Sequence, residues 1–306
     1  MTTNIAIFAG HTVDSFAALV APEAVALANA KPSKEGDEWA PLFDNLGRFG
    51  VELETAGLSG VEASTVVYES LKALGVQCSL RTGYTCEVVL ADGRAWSFVF
   101  DSSISTRNGK AVEVVSPILT AADFNMLIVV AHVLTINCAV ANESCGMHVH
   151  VDGAPFLADA TRTKKLIGLV RNFDGVIRSR TSDSRDHWCK PIDAAKVEKL
   201  LACKDMDQMK SAWYDGNTSR SSEHYDSSRY VGLNLHALWY KGTVEFRYFN
   251  GTLNPSQVVA NALLCLHTAA RSKRITSPRA TNAERFFHLI RFTGKQFASA
   301  RKLVAA

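Results

Sequence analysis

Alternation of apolar and charged residues is the pattern that organises this chain. In Gly242-Thr243-Val244-Glu245-Phe246-Arg247-Tyr248-Phe249-Asn250-Gly251, Val244, Phe246 and Tyr248 alternate with Glu245 and Arg247. That spacing predicts a buried strand running into a turn, with the acid and the base on one face. A carboxylate and a guanidinium among core residues are costly to bury without partners. Phe49-Gly50-Val51-Glu52-Leu53-Glu54 shows the same habit and puts two carboxylates on one strand face. Cys145-Gly146-Met147-His148-Val149-His150-Val151 does so with two imidazoles, and Glu113 points away from its neighbours Val112 and Val114.

The remaining elements follow from periodicity and turn chemistry. Residues 60–74 carry apolar side chains at helical spacing and close on Gly75. Ala91-Asp92-Gly93 predicts a hairpin between strands 85–90 and 94–100. Strand 111–116 stops at Pro117. Helices are predicted over 121–140, 159–177, 193–214, 256–271 and 286–303, the fourth with Pro255 near its first turn. Residues 13–30 are Ala-rich and read as one helix, 31–37 as a polar loop, and 215–228 as a Gly/Asn/Ser/Thr loop of mobile composition. Hairpins early and helices later favour an α+β fold. A curved, largely antiparallel sheet would carry helices on one face and charged residues along a cleft on the other.

Composition narrows the class. The chain has 306 residues, 47% hydrophobic and 21% charged, which suits a globular protein with a large core. Seven cysteines without a Cys-x-x-Cys spacing give neither a zinc knuckle nor a disulfide framework, so reduced thiols and a cytoplasmic setting are expected. No signal peptide is expected at the N-terminus, and the most apolar run, 124–140, is broken by polar residues and too short for a membrane span. A net charge of +3 does not call for nucleic acid. Basic residues crowd the end of the chain, from Arg271, Lys273 and Arg274 to Arg301 and Lys302, either as a solvated helix face or as a surface for an acidic partner.

The charged strand positions admit two readings each. Glu52 and Glu54 are either solvated or metal ligands. His148 and His150 either divide between core and surface or converge on a metal. Glu245 and Arg247 are either a structural ion pair or a catalytic one. So many oxygen donors suit Mg²⁺ or Mn²⁺ better than zinc. No P-loop, dinucleotide fingerprint or nucleophile elbow occurs, so metal ions and arginines would have to carry the charge of any nucleotide phosphate.

The ordered set of motifs resembles a known family. The Gly-Met-His-Val-His and Val-Glu-Phe-Arg-Tyr-Phe runs, the latter followed by Asn-Pro and an apolar helix, are similar to runs of glutamine synthetase. The stretch from Phe49 to about Leu303 more closely resembles the amidoligase family of the glutamine synthetase and glutamate–cysteine ligase (carboxylate–amine ligase) superfamily. The match rests on Phe49 to Glu54, Asp101 to Ser103, Glu113 to Pro117, Cys145 to His150, Arg229 to Leu235 and Thr243 to Arg247.

The resemblance implies a glutamine synthetase-like catalytic domain over 46–306, with 1–45 as an N-terminal extension. It implies ATP and Mg²⁺ (or Mn²⁺), with Glu52, Glu54, Glu113, His148 and Glu245 as metal ligands. His150, Arg247 and Asn234 would contact the nucleotide. Arg247, Glu245, Asp101 and Arg229 would be catalytic: Arg247 at the transferred phosphoryl group, Asp101 orienting the amine, Arg229 at a phosphate or carboxylate. The activity implied is amide formation between a carboxylate and an amine, small-molecule or peptide, through an acyl phosphate. A metal-dependent amide hydrolase and a non-catalytic nucleotide-binding relative stay open beside it, as do the substrates, an oligomeric state, and a role for Arg180, Arg185 and Lys190 in reading an acidic substrate.

Overall fold

The computed structural model describes residues 5–30, 46–178, 187–276, 282–293 and 295–304. The polar loop 31–37, Arg180 and Arg185 lie outside them. Among the described residues, eight strands form one antiparallel sheet that does not close, in the order β2-β3-β4-β5-β1-β6-β8-β7. They are β1 (Phe49–Ala56), β2 (Cys78–Arg81), β3 (Cys86–Leu90), β4 (Ala95–Val99), β5 (Ala111–Val115), β6 (Gly146–Asp152), β7 (Leu233–Asn234) and β8 (Thr243–Asn250). The class is α+β, as the order of elements predicts. Contacts divide the described chain into two compact units, one of residues 5–30, 50–147 and 250–262, the other of 46–49, 148–249 and 263–304.

In the first unit, Val51 and Leu53 of β1, Trp96 and Phe98 of β4, and Val112 and Val114 of β5 are buried. The register pairs Leu53 with Val114 and Phe98 with Val114, so these apolar positions share one sheet face. Helix Gly60–Ala73 packs on β2 to β5. Ser59 and Glu62 form a capping box at its start, and its end passes into Gly75 at φ +81°. The hairpin of β3 and β4 turns at Asp92 and Gly93, where the Asp92 carboxylate accepts from the Arg94 backbone at 3.0 Å. Gly251 donates to the Cys145 carbonyl at 2.8 Å, and a Cβ on it would lie 2.5 Å from the Cys145 Cβ, so this turn needs glycine.

In the second unit, helix Ala160–Arg178 packs against helices Ala194–Ala202 and Ala283–Leu289. β7 is only two residues long, and it pairs Leu233 with Phe246 and Asn234 with Glu245 of β8.

Four predicted helices come out differently. Residues 13–30 form two helices, Val13–Val20 and Pro22–Ala28, because proline has no N–H to continue the first. Both pack on helix Phe124–Ile136, with Phe16 and Leu27 buried. That helix begins as a 3₁₀ turn and stops short of 140, since Cys138 turns at φ +69° and Val140 bridges Ala56. Residues 193–214 split into Ala194–Ala202 and Met206–Trp213, with Cys203 extended and Asp205 capping the second helix. Residues 286–303 split at Arg291, φ +58°, into Ala283–Leu289 and Ala298–Val304. The loop 215–228 is built of two 3₁₀ turns, tied by Arg220 donating to the buried Asp226 at 2.7 Å.

All seven cysteines are free thiols. No helix among the described residues is long and apolar enough to cross a membrane.

Candidate active site

Arg229 apart, the predicted site residues group within the two units, one cluster in each. The first is built by register. β1 and β5 run antiparallel with Glu54 directly opposite Glu113, and β4 pairs Val99 with Glu113. Glu52, Glu54 and Glu113 therefore share a face, and Asp101, two residues past Val99, follows on that side. One carboxylate oxygen each from Glu54, Asp101 and Glu113 lie within 4.8 Å of one another. Like charges directly opposite on antiparallel strands are destabilising.

Burial raises the Glu113 carboxyl well above the ordinary carboxylate range, and the charges of Glu52, Glu54 and Asp101 push the same way. Two neighbouring contacts hold the frame. The Gly146 N–H donates to Glu54 at 2.5 Å, and the Ser103 N–H donates to Asp101 at 2.7 Å, closing the Asp-x-Ser turn. Hard oxygen donors crowded against their own repulsion fit a divalent cation of the Mg²⁺ type, whose charge would reverse that repulsion.

The second cluster centres on Glu245, in β8. The alternation read from the sequence puts Glu245 and Arg247 on one face, and the Arg247 guanidinium donates to Glu245 Oε1 at 2.6 Å. Asn234, opposite Glu245 in the register, donates its amide N–H to Glu245 Oε2 at 2.6 Å. Its amide oxygen accepts from the His236 backbone at 2.9 Å, which fixes which way the amide points. His148 Nδ1 lies 3.6 Å and His150 Nε2 3.8 Å from Glu245 Oε1, and Arg247 Nη1 lies 3.4 Å from His148 Nδ1. Glu245, Arg247, Asn234 and His148 are all 5% exposed or less. This carboxylate is compensated by a charged donor and an amide donor, the arrangement a buried charge requires.

Arg229 stands apart from that network. Its guanidinium donates to the His224 carbonyl at 3.3 Å and lies 5.7 Å and 5.8 Å from the Tyr225 and Tyr230 ring centroids. Two residues that the sequence reading passed over join the second cluster. Thr243 meets His150 Nδ1 through its hydroxyl at 2.9 Å, which turns the other ring nitrogen toward Glu245. Thr243 lies in the same run as Glu245 and Arg247, two residues away on the same face, so parity was the signal for it. His236 Nδ1 meets the Tyr214 hydroxyl at 2.6 Å, and this link between distant segments has no local signal.

An open α+β sheet whose strands carry buried ionisable side chains, acids in one unit and an imidazole–guanidinium set in the other, defines a protein with candidate metal and anion chemistry. The family described as "putative amidoligase enzyme" matches residues 46–269, most of the chain, and the chain belongs to that family. Membership brings ligase-type activity in general terms. No curated protein matches the chain.

Proposed function

We propose that the protein is an ATP-dependent carboxylate–amine ligase that makes an amide bond through an acyl phosphate. The observation that carries this reading is the crowding of Glu52, Glu54, Asp101 and Glu113, where burial and then the neighbouring charges raise the Glu113 carboxyl well above the ordinary carboxylate range. Glu52, Glu54 and Glu113, with His148 and Glu245, are the residues that would hold divalent ions, which would neutralise charge on the γ-phosphate of ATP.

Transfer of the γ-phosphoryl group of ATP, with ADP leaving, would turn a carboxylate into an acyl phosphate, from which an attacking amine would expel inorganic phosphate. Arg247, fixed by Glu245, would stabilise charge on the phosphoryl group in transfer. Asn234 has both amide atoms engaged, so its part is to orient Glu245 rather than to grip the nucleotide. His150, oriented by Thr243, would contact the ATP phosphates. Asp101 would accept a proton from the substrate ammonium, freeing the amine lone pair for attack. Arg229, ringed by Tyr225 and Tyr230, takes the substrate carboxylate. Residues 46–306 form the catalytic part, with 1–45 as an extension.

The test is a phosphate-release screen of carboxylate and amine pairs with Mg-ATP, followed by mass spectrometry for the condensed product. Amine-dependent ADP release that Arg247→Ala removes is the expected result. Release that survives both Arg247→Ala and Glu245→Gln, or cleavage of amides in nucleotide-free buffer, would count against it.

A further inference from the structure

A concave site lies wholly within the second unit. It is a pocket of about 330 Å³ lined by Arg48, Arg162, Lys273 and Arg274, with Asp152 the one acidic side chain in its lining. Asp152 is already engaged. One of its oxygens accepts from Arg48 at 2.8 Å and the other from the Ala154 backbone at 3.1 Å.

Arg162 is the informative residue. Its guanidinium is half-buried 4.7 Å over the Phe156 ring. It donates to the Ser272 hydroxyl at 3.3 Å and to the Ala269 carbonyl at 3.4 Å, and among the described residues it forms no ion pair with a carboxylate. Those bonds are long and go to neutral acceptors, so they compensate a partly desolvated cation poorly. Burial accordingly lowers the Arg162 pKa, with Asp159 and Asp152 only partly opposing it. Lys273 is exposed at the rim. The basic crowding noted near the end of the chain is thus, at Lys273 and Arg274, the wall of a pocket.

We propose that this pocket binds a small oxyanion bearing two negative charges, a phosphate monoester or a dicarboxylate, with Arg162 and Lys273 as its principal contacts. Guanidinium and ammonium groups pair best with phosphate and carboxylate oxygens. The volume sits at the small end of small-molecule sites, which favours a compact anion over a polyanion spread along a surface. The site uses neither ATP nor a metal, so it stands whether or not the ligase reading does.

Isothermal titration calorimetry on the full chain, in low-salt, nucleotide-free buffer, tests it with inorganic phosphate and, separately, with succinate. Saturable binding of one or both at a single site is expected, and the tighter of the two names the source of the charge. Arg162→Gln and Lys273→Gln should each weaken it by about tenfold, the loss of one charge-assisted hydrogen bond. Lys302→Gln, in the same basic tail but outside the pocket, should leave it unchanged. Lys273 is exposed, so its variant stays informative if Arg162→Gln fails to fold. Absence of saturable binding for both anions overturns the proposal. So does equal weakening by Lys302→Gln, which would mean a diffuse basic surface of the kind that takes nucleic acid or another polyanion.

Discussion

The two clusters solve the burial of charge in opposite ways. In the second unit, Glu245 is matched by donors from its own protein: Arg247 on one oxygen and Asn234 on the other. In the first unit, Glu113 faces Glu54 across the ladder and has Asp101 beside it, and burial adds to the repulsion. A compensated cluster is preorganised and holds its geometry with nothing bound. A repulsive cluster stores an unfavourable interaction that a cation would release. The difference teaches that carboxylates alike in sequence setting, each on a strand among valines or phenylalanines, divide by whether a donor stands opposite. It also predicts opposite signs for neutralising one carboxylate in each.

Arg247→Ala should have the largest effect. It strands Glu245 with one donor fewer in a buried site, and breaking such a pair costs about 3–5 kcal/mol. Urea unfolding should show that loss, and amine-dependent ADP release should fall by about 100-fold or more, as when an oxyanion donor is removed. A fold unchanged in stability would mean that the second cluster is not internally compensated.

Asn234→Ala removes one donor to Glu245 and leaves the His236 N–H without its acceptor, at a cost of about 1–3 kcal/mol. If Asn234 acts through Glu245 as proposed, the rate constant should fall while the KM for ATP changes little. A rise in KM with an unchanged rate constant would make Asn234 a nucleotide contact instead, as the motif resemblance implies.

Glu113→Gln is the opposite case. The Glu113 carboxyl has a raised pKa in the folded chain, so above the unfolded value of about 4.3 the unfolded state has lost a proton that the folded state keeps. Metal-free stability should therefore fall as pH rises through that window, by about 1.4 kcal/mol per pH unit at most, until the folded group ionises. Glu113→Gln should flatten that slope and raise the melting temperature in EDTA at pH 8. Mg²⁺ should raise the melting temperature of the native chain and do so less in the variant. A variant less stable than the native chain in EDTA would show that the acids are compensated by some other means.

What the sequence made legible was whatever rests on a period of two or on one turn residue. Parity put Glu245 beside Arg247, Glu52 beside Glu54, and His148 beside His150, and Asp92-Gly93 placed the hairpin. What it hid depends on residues meeting from afar. Glu54 faces Glu113 only because β1 and β5 pair in one register, and a one-residue slip would separate them. Asn234 sits on a two-residue strand too short to leave a pattern. The helix breaks at Cys203 and Arg291 carry no proline, so the helical spacing on either side reads as continuous. The anion pocket draws on positions 48, 162, 273 and 274, which no local window brings together.

The smallest expected effect returns the comparison to one unit. Glu62 caps helix Gly60–Ala73 and pairs at 2.5 Å with Lys110, the residue before β5, so it ties the helix to the strand that carries Glu113. The ammonium of Lys110 and the Ser59 N–H hold its carboxyl down to about 2. A folded pKa below the unfolded one gives stability that is present above about 4.3 and lost as pH falls toward 2, the reverse of Glu113. Both side chains keep about a third of their surface in solvent, so screening limits the pair to about 0.5–1 kcal/mol, and less at high salt. Lys110→Met should thus cost under a kilocalorie at pH 7 and nothing well below pH 2. It should leave the metal-dependent rise in melting temperature intact, because Lys110 touches the frame of the acid cluster and not its oxygens. If Lys110→Met instead abolished that rise, the position of Glu113 would depend on the helix clamp, and the acid cluster would be far less rigidly set by its strand register than the pairing of Glu54 with Glu113 requires.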